Sequence, residues 1–210
     1  MSDLVSHLRS FNRKERFILL SEALGRDILG GAFRGRLGEA IGVAVPDTAF
    51  VAMDYHLDWL QMALYLAGTP NPPDSIPKSD VIGSSPQDFN QNQMDVDLLV
   101  AFDEGSTTRL VLIEAKMETG WTNDQMSKKA ERLRAMFDDP SARGLAEPCF
   151  LLLSPRRPQQ LNAETWPSWM TRDGEPIWME LRRPAGLRKV TRCGPDGRAS
   201  ATGDFLRIDP

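Results

Sequence analysis

The sequence predicts an α/β fold, and three observations point there. Leu57, Leu60, Leu64 and Ala67 recur at helical spacing. Two apolar runs, 96–102 and 110–113, are separated by a turn and read as a β-hairpin. A helical stripe over 123–137 is followed by the wholly apolar run 149–153, so helix and strand alternate through the middle of the chain. With 210 residues, 41% apolar and 26% charged, the chain can build one core without disulfide or metal staples.

Taken in order, residues 12–24 read as a first helix. Asn12 can cap it, Glu15 stands at the capping-box position, Phe17, Leu20 and Leu24 share a face, and Gly25 can end it. Phe33, Leu37 and Ile41 give a weaker helical pattern over 31–42, diluted by Gly35 and Gly38. The stripe from Leu57 to Ala67 predicts a helix over 49–67, closed by Gly68-Thr69-Pro70. Residues 68–92, with Pro70, Pro72, Pro73, Pro77 and Pro86, read as a long irregular connection.

The hairpin strands then flank the turn Asp103-Glu104-Gly105-Ser106. Met126, Ala130, Leu133 and Phe137 form the stripe of the helix over 123–137, with Thr122 or Asn123 as its cap. The run 149–153 reads as a buried strand ended by Ser154-Pro155. Three further strands are expected at 177–181, 187–191 and 205–208, the last at an edge. The organisation expected is a helical extension, 1–48, packed on a core at 49–210 in a single domain.

The net charge is −4, and it is unevenly spread: residues 37–125 carry 14 acidic side chains against 3 basic, while both ends are net basic. An acidic centre repels phosphate unless a cation bridges the two, so this pattern suits a divalent metal with basic flanks for a polyanion. The plain alternative is a solvated acidic surface. The two cysteines, Cys149 and Cys193, lie outside any CxxC or Cys/His spacing, which argues against zinc and for a reducing compartment. No secretory leader and no membrane-spanning run is read, so a cytoplasmic protein is expected.

The chemistry concentrates in Asp95-Val96-Asp97 at the start of the first hairpin strand and Glu114-Ala115-Lys116 at the end of the second. Alternation along a strand puts Glu114 and Lys116 on one face, and the antiparallel return brings Asp97 beside them. Two carboxylates are hard oxygen ligands for Mg²⁺. The metal would activate water and polarise a phosphoryl oxygen, and the lysine would orient that water or meet charge building on the phosphate. Read alone, Glu114 and Lys116 are an exposed ion pair worth at most about 1 kcal/mol.

An acid on one strand, Glu-x-Lys on the next, then a helix and a buried strand resembles the PD-(D/E)XK nuclease superfamily, over roughly residues 50–153. The resemblance implies a restriction-endonuclease-like core, a mixed central β-sheet flanked by helices. It implies Asp97 and Glu114 as ligands of Mg²⁺ or Mn²⁺, the Ala115 carbonyl as a further ligand, and Lys116 as the catalytic amine. Gln125, in the first turn of the following helix, matches a glutamine found in several branches. It implies a nuclease acting on nucleic acid, with DNA the expected substrate. The sequence departs from the pattern in having no proline before Asp97. Asp95 remains an alternative to Asp97, and Glu39, Asp54 and Asp58 are unranked candidates for an additional ligand.

Other residues have plainer readings beside the functional ones. Lys128, Lys129 and Arg132 could meet phosphates or form an ordinary solvated helix face. Arg156-Arg157 and Arg182-Arg183 could form a basic rim. Trp121, Trp166, Trp169 and Trp178 could stack on bases, although core packing is their commoner role. Asp54, His56 and Asp58 read as a polar helix face rather than a metal cluster. No G-x-S-x-G elbow and no P-loop is present. Beside the nuclease stand a catalytically silent nucleic-acid-binding or regulatory protein of the same fold, and a scaffold that forms a homodimer through its Trp-rich C-terminal region.

Overall fold

A computed structural model of the chain describes residues 3–11, 29–77, 94–182 and 188–209. The chain divides into two compact units, Met1–Glu180 and Leu181–Pro210. In the first, the helices α1 (Leu4–Phe11) and α2 (Gly31–Ile41) precede strand β1 (Phe50–His56) and helix α3 (Leu57–Gly68). Strands β2 (Asp95–Glu104) and β3 (Thr107–Ala115) form the expected hairpin. Helices α4 (Asn123–Phe137) and α5 (Pro140–Leu145) lead to β4 (Ala146–Ser154). The short strands β5 (Thr171–Arg172), β6 (Glu175–Pro176) and β7 (Trp178–Glu180) follow. The second unit holds an antiparallel pair, β8 (Lys189–Cys193) and β9 (Phe205–Asp209).

The fold is α/β, built on a mixed five-stranded sheet in the order β1-β2-β3-β4-β7. β1, β2 and β3 run antiparallel in succession, while β4 lies parallel to β3 and β7 parallel to β4. Gly105, at φ 67°, allows the two-residue turn between β2 and β3. A parallel neighbour needs a crossover, and α4 with α5 supplies it. The Thr122 hydroxyl caps α4 by accepting from the Gln125 N–H at 3.2 Å. Met126, Ala130, Leu133, Met136 and Phe137 then pack into the core, each large side chain contributing about 1.5–3 kcal/mol.

The register fixes which residues stand side by side. Ala52, Leu99, Leu112 and Phe150 form one row across four strands, and all four are fully buried in the main core. α1 joins that core through Leu4 and Leu8, and the Tyr55 hydroxyl donates to the Leu8 carbonyl at 2.9 Å. Trp166 and Trp169 also pack here, edge-on to Phe150 and Phe137 respectively, so packing is the role the structure gives them.

One expectation is corrected outright. Residues 49–67 are not a single helix: Phe50–His56 is the edge strand β1, and the helix begins at Leu57. Every residue of the helical stripe, from Leu57 on, lies in the true helix. The aromatic and β-branched residues before it, Phe50, Val51 and Tyr55, favour a strand. Asp54 and His56 therefore belong to a strand and not to a helix face. The first helix expected, 12–24, lies outside the described residues, as do residues 78–92 of the long connection. The helix expected over 31–42 runs Gly31–Ile41, and Gly42 closes it at φ 80°. The other expected strands begin and end within three residues of their places, with residue 187 outside the described residues. α5 and the β5–β6 pair have no counterpart in the sequence reading. Among the described residues, no helix is long and apolar enough to cross a membrane.

Candidate active site at the sheet end

Two residues along the strands from Ala52, Leu99, Leu112 and Phe150, the next row on the same face carries the acids. Glu114 is paired with Leu152 on β4. Asp97 lies one step beyond the Leu98–Ile113 pair and so faces Glu114's position on β3. Its carboxylate accepts from the Ala115 N–H at 2.6 Å. That bond fastens β2 to β3 where their ladder ends.

Glu114 is buried, its side chain 5% exposed. Burial pushes its carboxyl up to about 7, opposed by the charge and hydrogen bond of Lys129 and reinforced by the neighbouring charges of Asp97 and Asp95. Lys129, on α4, is also buried, its side chain 7% exposed. Its ammonium donates to the Glu114 carboxylate and to the Asp95 carbonyl, the latter at 2.6 Å. α4, β2 and β3 thus meet at one ammonium.

The other expected residues fall around this centre. Lys116 is the first residue beyond β3; its N–H donates to the Leu153 carbonyl at 2.9 Å, and the side chain is half-buried. Its amine is bonded to neither Asp97 nor Glu114. Gln125 is exposed in the first turn of α4, one turn before Lys129. Asp95 accepts from Lys129 through its carbonyl and its charge also acts on Glu114, while Asp97 brings its carboxylate to the strand end. Asp54, on β1 at φ 48°, faces Asp97's position on β2, where the β1–β2 ladder skips a pair. Asp58 is bound to Arg132 on α4, and Glu39 is exposed on α2. Of the three additional acids, only Asp54 lies in the row of Asp97 and Glu114.

The solvated or phosphate-facing role for Lys129 and Arg132 is overturned. Lys129 is spoken for by Glu114, and Arg132 by Asp58. Lys128 is exposed and paired with Asp124 one turn back. Arg156 and Arg157 are exposed just beyond β4; Arg183 lies outside the described residues. Lys129 carried a readable signal: it sits three residues after Met126 and four before Leu133, on the apolar stripe. A lysine there needs a buried acceptor.

The donor set is hard oxygen: the carboxylates of Asp97 and Glu114, with the backbone carbonyl of Ala115, the next residue along β3. It suits Mg²⁺ or Mn²⁺, which bind through one or two carboxylates and take remaining ligands from water and substrate. Among the described residues, no group of three or more His, Cys, Asp or Glu side chains could hold a metal ion. In comparisons with known proteins, no family model matches the chain, and neither does any curated protein or solved structure.

Proposed function

We propose that the chain is a Mg²⁺- or Mn²⁺-dependent nuclease with a restriction-endonuclease-like core, hydrolysing phosphodiester bonds in DNA. The observation that carries this reading is the meeting of Asp97 and Glu114 at the end of adjacent strands, with Lys116 the next residue out. A bound cation would supply Lewis-acid polarisation of the phosphoryl oxygen and a more acidic water. Asp97 and Glu114, with the Ala115 carbonyl, would hold it. Lys116 orients the attacking water or meets charge developing on the phosphate. Gln125, exposed in the first turn of α4, would contact the substrate. Arg156 and Arg157 hold the polyanion, since β4 is parallel to β3 and leaves the sheet at the Lys116 end.

The test is cleavage of single- and double-stranded DNA and RNA with Mg²⁺, Mn²⁺ or EDTA, by wild type and Lys116→Ala. Metal-dependent cleavage lost in the variant supports the reading; no cleavage of any substrate by wild type refutes it. One observation favours a silent binding protein of the same fold: Glu114 already has a positive partner in Lys129. Polynucleotide binding without cleavage would select that alternative.

A further inference from the structure

We infer that Lys129 is a built-in counter-ion that competes with a divalent cation for the Glu114 carboxylate and so sets the metal affinity of the site. The inference rests on the reading of Asp97 and Glu114 as the cation-binding pair. Lys129 comes from a different element, α4, and its ammonium bonds directly to Glu114. Its side chain is nearly all buried, so water screens its charge little.

Lys129 makes a second bond. Its ammonium also donates to the Asp95 carbonyl at 2.6 Å, an acceptor independent of Glu114. Lys129 can therefore yield the carboxylate while keeping one acceptor in the interior. Asp97 is held separately by the Ala115 N–H, so its carboxylate stays at the strand end whichever cation Glu114 faces. A divalent ion bound between Asp97 and Glu114 would lie within a few ångströms of the Lys129 ammonium. The two positive charges repel, and the same carboxylate cannot fully satisfy both.

The experiment is calorimetric titration with Mn²⁺ at pH 8 on wild type, Lys129→Met, Lys129→Arg and Glu114→Gln. Lys129→Met should bind Mn²⁺ at least about tenfold more tightly than wild type, the scale of one unit charge acting at short range in a partly buried site. Lys129→Arg, which keeps the charge, should stay within about threefold of wild type, and Glu114→Gln should lose binding. Equal or weaker binding by Lys129→Met overturns the inference. So does equal tightening by Lys129→Arg, which would make packing the cause, and so does absence of binding in both wild type and Lys129→Met. A second readout covers the case in which Lys129→Met does not fold: the ¹⁵N ammonium resonance of Lys129 in wild type, assigned by its loss in Lys129→Arg. It should shift on adding Mg²⁺, and an unmoved resonance overturns the inference. Failure of the nuclease reading is seen separately, as absence of cleavage by wild type, and leaves the affinity comparison intact.

Discussion

The ammonium of Lys129 lies on the carboxylate of Glu114, both side chains out of solvent, and ties helix α4 to the end of strand β3. Truncating one partner of such a pair leaves the other buried without compensation. Lys129→Met should destabilise the fold by about 3 kcal/mol or more. Adding Glu114→Gln should recover part of that loss, because both groups are then neutral. Urea unfolding of the two single variants and the double variant gives the coupling energy. Simple additivity would mean that the two groups do not depend on each other.

Glu114 also predicts a pH dependence. Burial moves its carboxyl from 4.5 to about 7 in the folded protein. Between those values the folded state holds a proton that the unfolded state has released. The contribution of Glu114 to stability is therefore fully present below about pH 4.5 and is lost as pH rises through about 7. In EDTA, the stability of wild type relative to Glu114→Gln should fall across that window. A relative stability that rises with pH would show that Lys129 outweighs burial.

Cys149 lies in the interior strand β4, and burial pushes its thiol up to about 11. Thiolate is the reactive form, so almost none is available at neutral pH. Iodoacetamide should modify Cys149 slowly in the native protein and rapidly in denaturant, followed by peptide mass spectrometry. Fast native modification would place the thiol at the surface.

Arg156→Glu/Arg157→Glu should weaken DNA binding and flatten its salt dependence, as expected when phosphate contacts are lost. Both side chains are exposed just after β4, at the end of the sheet where β3 delivers Lys116. Fluorescence anisotropy across a range of salt concentrations measures this. An unchanged salt slope would put the polyanion elsewhere on the surface.

The hairpin and the following helix were legible because each carries its own period: the two apolar runs of β2 and β3 around a turn, and the Met126–Ala130–Leu133–Phe137 stripe of α4. β1 was not, because Phe50–His56 runs into the helix at Leu57 without a glycine or proline between them. Strand spacing could bring Asp97 to Glu114, since a hairpin is a local structure. It could not bring Lys129 there. That contact depends on how α4 folds back over the sheet, and only the charge on an apolar stripe hinted at it.

In the proposed function, the sheet end bearing Asp97, Glu114 and Lys116 hydrolyses phosphodiesters. The decisive experiment is single-turnover cleavage of DNA in Mg²⁺ by wild type and Lys116→Ala, alongside binding of the same DNA. Wild type should cleave, Lys116→Ala should cleave about 10²-fold more slowly or worse, and affinity should hardly change, because the amine acts mainly in the transition state. Cleavage by Lys116→Ala at the wild-type rate would contradict the assignment.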